Sequence, residues 1–236
     1  MRARALLVAI ALALATALGY AVSVGWTHRM DAYTVHLMPW RACPYHPQSS
    51  ADQLIAPLPA AVCHSRPPYY EPPAAGRAAF AVASTAAPAM TLVLVLTLAV
   101  LGPRGQRWRI LLTGVCAVAA ATLVEITGKV IVTRPPIMRV LHTHHVALNT
   151  AHSFPCGHTI RACIVVYLVL ALRRRWAAAA LVWFAAVQVA LVTTSGHTPT
   201  DLGGGLLVGV AIAATMACAL GRLKAPARVP APLATA

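Results

Sequence analysis

Acidic residues are nearly missing from this 236-residue chain: there are five, Asp31, Asp52, Glu71, Glu125 and Asp201, scattered singly between long apolar runs. Charged residues of both signs make up only 10%, against 59% hydrophobic. A soluble domain needs charge over its whole surface, so this scarcity excludes one of this size, and the solvent for most of the chain is lipid. Also absent is any basic stripe with interleaved aromatics. Despite a formal charge of +14, the Arg and Lys residues punctuate the ends of apolar segments, which is a topology signal and argues against a nucleic-acid partner. A recognisable metal motif is missing too. His142, His144, His145 and His152 fall close together, but none has His-Glu-x-x-His spacing and no acid lies near. They read as a polar loop, and neither metal nor cofactor is expected.

What is present is a series of apolar runs. Crossing the hydrocarbon takes about 20 residues in a helix, and six candidate spans meet or approach that length: 5–26, 77–101, 110–132, 159–172, 176–194 and 202–220. The expected fold is all-α, a polytopic membrane helix bundle forming a single domain over 1–236. The fourth run is short and is expected to begin within 155–158. The flanks Arg2/Arg4, Arg104/Arg107/Arg109, Arg173 to Arg175 and Arg222/Lys224/Arg228 mark one side as cytoplasmic, giving N-in and C-in with a basic tail at 221–236. The first run resembles a signal peptide, but it is long and lacks a small-residue cleavage site before Trp26, so a retained span is expected.

Between the first two runs, residues 27–76 form an expected extracytoplasmic loop. It is Pro-rich (Arg66-Pro67-Pro68-Tyr69-Tyr70-Glu71-Pro72-Pro73), which argues against regular helix. Cys43 and Cys63 lie in it, on the side where disulfides persist, and a bond between them is a hypothesis; Cys116, Cys163 and Cys218 lie in apolar segments.

Three stretches carry groups that are costly in a membrane, all at the outer ends of predicted spans. In Gly128-Lys129-Val130-Ile131-Val132-Thr133-Arg134-Pro135-Pro136, Lys129 can snorkel towards Arg134, or both cations simply anchor the helix end at headgroups. In Ser153-Phe154-Pro155-Cys156-Gly157-His158-Thr159, unpaired N–H groups at a helix start offer a cradle for phosphate with His158 at its rim; the alternative is an ordinary helix start. In Ser195-Gly196-His197-Thr198-Pro199-Thr200-Asp201, the carboxylate can fix the imidazole tautomer and sharpen the other ring nitrogen as a nucleophile, or Asp201 is only a helix cap. Glu125, four residues before Lys129, can neutralise it on the same helical face.

The order Lys-x4-Arg-Pro, Pro-x-Gly-His, His-x3-Asp on about six spans resembles the type-2 phosphatidic acid phosphatase and vanadium haloperoxidase superfamily over residues 125–205. The resemblance implies that His197 attacks phosphorus to form a phosphohistidine, Asp201 orients it, and His158 protonates the leaving oxygen. It implies that Lys129 and Arg134 neutralise the phosphoryl oxygens and that Gly157 offers a backbone N–H, so that catalysis is largely electrostatic positioning. Three departures touch these groups. Pro136 and Ile137 stand where the family has a second Arg-Pro, Cys156 stands where it has Ser, and Leu191 stands where it has Arg six residues before the nucleophile. Arg139 or Arg161 can substitute for a missing arginine, and Arg161, one turn beyond His158 on the same face, is the better candidate. The implied function is a cell-membrane phosphatase acting on a lipid phosphate or diphosphate, of the polyprenyl diphosphate or phosphatidate type, at the extracytoplasmic face. The alternative is an impaired relative that binds an anionic lipid or supports a partner enzyme.

Overall fold

A computed structural model describes residues 2–37, 74–134, 152–194 and 197–221. Among the described residues every regular element is helical, as expected. They are α1 (Arg2–Ser23), α2 (His28–Leu37), α3 (Ala74–Ser84), α4 (Pro88–Leu101), α5 (Arg107–Ile131), α6 (Gly157–Leu172), α7 (Ala177–Thr193) and α8 (Pro199–Gly221), with short 3-10 turns ahead of α5 and α7. The expected Cys43–Cys63 bond, Arg139, His142, His144, His145 and the tail beyond Gly221 lie outside the described residues.

Two expectations are corrected. The stretch read as irregular from Thr27 carries a helix at once, α2, and the run at 77–101 is not one rod but two helices bent by 55°. Pro88 explains the bend. It has no N–H to give to the preceding turn and it forces Ala87 into extended backbone (ψ 156°), so α3 must stop and α4 begins with proline at its first position. Four helical stretches are long and apolar enough to cross a membrane (Ala3–Ser23, Arg104–Ile131, Arg174–Thr193 and Pro199–Gly221), and the bent pair makes up to five. The remaining expected crossing corresponds to α6, which has only 16 residues.

At about 1.5 Å per residue, α6 is roughly 24 Å long, short of a hydrocarbon core of about 30 Å. It tolerates this because protein, not lipid, surrounds it: α4, α5, α7 and α8 all pack against it. Ile160, Ile164 and Leu168, one face at a spacing of four, are fully buried against Val95, Ile110 and Ala121. Small residues let α8 come close. A Cβ at Gly205 would lie 2.5 Å from the Cys156 carbonyl oxygen, and one at Gly209 would lie 2.7 Å from Cys163 Sγ. Outside this centre, α1 lies along α8, and Arg4 Nη1 donates to Ala217 O (2.9 Å), so the start of α1 and the end of α8 share one end of the bundle. Leu6, Ile10 and Leu14 on α1 and Leu181, Val182 and Val189 on α7 point outward, as lipid-facing side chains do.

Candidate active site

The segments 132–134 and 152–156, residues 197 and 198 and the start of α2 meet at the opposite end of the bundle. Local sequence sets the first piece. Thr198-Pro199-Thr200-Asp201 starts α8 with a capping box: Asp201 N–H donates to Thr198 Oγ1 (3.4 Å), and Thr198 N–H donates to Asp201 Oδ2 (2.9 Å). The same carboxylate lies 3.5 Å from His197 Nδ1, an ion-pair distance at the outer limit of a hydrogen bond. Asp201 is therefore both cap and neighbour of the imidazole; the two readings of this acid are not exclusive.

Behind Asp201 stands Arg134, buried to 5% exposure. Its Nη2 donates to both Asp201 oxygens (3.1 Å each), to Ser153 Oγ (2.7 Å) and to Thr198 Oγ1 (3.1 Å). Its Nη1 donates to Asp31 Oδ2 (3.0 Å) and Thr200 Oγ1 (3.2 Å). Asp31, fully buried on α2, also accepts from the Thr200 backbone N–H (3.3 Å) and hydroxyl (2.6 Å). Lys129 and Arg134 are engaged by carboxylates on different helices, Arg134 by Asp31 and Asp201 and Lys129 by Glu125 (2.7 Å).

A second ion cluster adjoins the start of α6. Glu125 Oε2 accepts from Arg161 Nη1 (2.6 Å) while its Oε1 accepts from Lys129 Nζ, and Arg161 Nε donates to the Ala86 carbonyl (3.0 Å). That carbonyl is released by the break between α3 and α4, and a buried guanidinium takes it up. The carboxylate presses so closely on Gly157 that a Cβ there would lie 1.8 Å from Oε2. Glycine is thus required at 157 by the approach of Glu125. Arg161 is 1% exposed and turned towards Glu125; Lys129 remains about one-third exposed.

Two backbone features bring the histidines together. Cys156 N–H donates to the Asp201 carbonyl (2.9 Å), tying the segment before α6 to the first turn of α8. The Phe154 ring wedges against Gly204 and Gly19, where added methyl groups would meet it at 2.3 and 3.1 Å. In consequence the rings of His158 and His197 lie 6.0 Å apart, centre to centre. Cys156 Sγ and a ring nitrogen from each histidine lie within 4.8 Å of one another. Burial opposes charge on the Cys156 thiol, yet the His197 cation beside it and hydrogen bonds from His158 and His197 pull it down to about 5. The reverse holds at His197: burial would discharge the imidazole, but the Cys156 thiolate and Asp201 hold it up at about 10.

All eight residues singled out from sequence lie in these two adjoining clusters. Asp31 was missed. It belonged to a stretch read as loop, and the only signal was the rarity of acids in so apolar a chain. Leu191, in the family's arginine position, is buried in an apolar cluster with Cys156, Ala162 and Val187 and brings no charge.

Compared with known families, the chain matches the PAP2 superfamily over residues 108–224. Through that region the chain belongs to the PAP2 superfamily. The match takes in α5 to α8 and with them every sequence-predicted site residue, while α2 with Asp31 precedes it. No curated protein and no solved structure matches the chain. PAP2 superfamily proteins generally hydrolyse phosphate esters, and the domain with its apolar helices fits a membrane phosphatase.

Proposed function

We propose that this PAP2 protein hydrolyses a lipid phosphate or diphosphate at the extracytoplasmic end of its bundle, through a phosphohistidine at His197. The observation that supports it most is the meeting of His197 and His158 beside the N-terminus of α6, with Asp201 behind His197. The unpaired N–H groups of the first turn of α6 attract the phosphoryl oxygens. Asp201, held by Arg134, orients the imidazole, and His197 passes its proton to the Cys156 sulfur beside it before attacking phosphorus. His158 protonates the leaving oxygen, and water then hydrolyses the phosphohistidine. Lys129 is the cation placed to reach the headgroup, since it is partly exposed. Arg134 has a different role from the one its motif implies: it positions Asp201. An apolar groove of about 270 Å³, lined by residues of α6, α7 and α8 including Tyr167, Phe184 and Leu206, suits an acyl or prenyl tail. The arginine flanks that favour an N-in, C-in orientation support a site outside the cytoplasm.

A second reading, a relative that binds an anionic lipid with little turnover, is favoured by one observation. Lys129, Arg134 and Arg161 are all engaged by carboxylates. Phosphate release from phosphatidate and polyprenyl diphosphates in mixed micelles separates the two. The phosphatase reading expects release by the intact protein and a loss of about 10³-fold or more in His197→Ala, the scale of removing a nucleophile. Equal inactivity of both proteins, with lipid binding retained, would leave only the second reading.

A further inference from the structure

We propose that Cys156, His158 and His197 form a binding site for a borderline-soft divalent cation of the zinc type. The proposal goes beyond phosphate hydrolysis and its binding arm does not rest on it. The three donors come from separate places, the N-cap of α6, its first turn and the segment before α8. They nevertheless converge, with ligand atoms within 4.8 Å of one another. Bonds of about 2.3 Å to sulfur and about 2.0–2.1 Å to imidazole nitrogen in a tetrahedron hold such donors roughly 3.4–3.6 Å apart. Small side-chain rotations close that gap.

The donor set selects the metal. One sulfur and two imidazoles suit zinc and its soft neighbours and reject magnesium and calcium, which require oxygen. Independent of the clustering, Nδ1 of His158 is buried without a hydrogen-bond partner, and the His197 side chain is only 10% exposed. Asp201 supplies the support that a metal-bound histidine ordinarily has. Its carboxylate lies 3.5 Å from His197 Nδ1, which directs Nε2 to the metal. Three protein ligands leave a fourth position for water or an anionic oxygen.

Zinc and phosphoryl transfer then compete. The lone pair that bonds the metal is the one that attacks phosphorus, so a bound ion blocks His197; this inhibitory arm alone rests on the phosphatase reading. Serine at 156 would remove the strongest ligand, so this cysteine is what converts a phosphoryl site into a metal site.

The test is a Co²⁺ titration of the full chain in detergent, without a polyhistidine tag, followed by Zn²⁺ displacement. Expected are one ion per chain, a near-ultraviolet thiolate-to-cobalt charge-transfer band and intense visible bands of a tetrahedral ion. Cys156→Ser should lose the charge-transfer band and weaken Zn²⁺ binding by about 100-fold, at least the upper range for losing a mere supporting residue. His158→Ala should weaken it similarly, while replacing His142, His144 and His145 together with Ala should leave the band intact. In the unaltered chain, Zn²⁺ should protect Cys156 from maleimide, mapped by mass spectrometry, so the test does not depend on any variant folding. Absence of the band, or unprotected Cys156 at saturating Zn²⁺, overturns the proposal. A band without phosphate release, with or without chelator, leaves the metal site standing and removes the phosphatase reading.

Discussion

The two ion clusters at the start of α6 and α8 solve opposite problems. Around Asp201, two acids share one arginine, and all three side chains are at most 2% exposed. With every group ionised, that cluster is one charge negative and lies against the His197 ring. Around Glu125, one acid is shared by two cations, and the cluster is one charge positive, beside the helix N-terminus. The first fixes a histidine; the second presents a net positive charge to an incoming anion. A buried charge is tolerable only when paired. The paired charges here are divided so that each cluster retains the sign its neighbour requires.

The largest effect should come from breaking the first cluster. Arg134→Met leaves two buried carboxylates facing each other and should cost about 3–5 kcal/mol of stability, the scale of removing one partner of a buried pair. Denaturant unfolding in detergent measures it, and Asp31→Asn in the same background should recover part of the loss. A cost below about 1 kcal/mol would mean that Arg134 does not hold the cluster together.

A smaller and different effect is expected from the second cluster. Lys129→Ala removes the partly exposed cation and should raise the KM for a lipid phosphate by about tenfold, equivalent to about 1.4 kcal/mol. Stability should change by less than about 1 kcal/mol, because Lys129 is partly exposed and Glu125 keeps Arg161 as its partner. An unchanged KM would reduce Lys129 to a helix-end anchor and blur the contrast.

The smallest effect is a titration. The lowered Cys156 value means that its ionic contribution fades as pH falls through about 5, and the raised His197 value means that its own fades as pH rises through about 10. Between those limits, thiolate absorbance in the near ultraviolet should exceed that of Cys156→Ser by one thiolate per chain. No excess at neutral pH would show that the pair is neutral and that His197 already carries its lone pair.

Much of this was legible in sequence because membrane physics is one-dimensional: apolar length gives helices, and costly residues at their ends mark the site. Lys129, His158, His197 and Asp201 could be picked out that way. The bend at Pro88 was also written there, as a proline inside an apolar run, but the length of the run concealed it. Asp31 could not be placed, because its partners Arg134 and Thr200 lie more than a hundred residues away in sequence and burial is a property of the folded bundle. The partners of Arg134 were hidden for the same reason. A motif says which cation is near, not which carboxylate holds it. Cys156 read as a departure from serine, and only the fold shows how close its sulfur lies to both imidazoles.

The bond from the Cys156 N–H to the Asp201 carbonyl joins backbone to backbone. A side chain of similar size, such as serine, preserves it in this buried position, whereas proline, having no N–H, would sever it. The spacing of the two histidines is therefore insulated from the residue between them. Position 156 is free to exchange chemistry, hydroxyl for thiol, without disturbing the architecture, which makes it the place where a lineage can change what this site does while keeping how it is built.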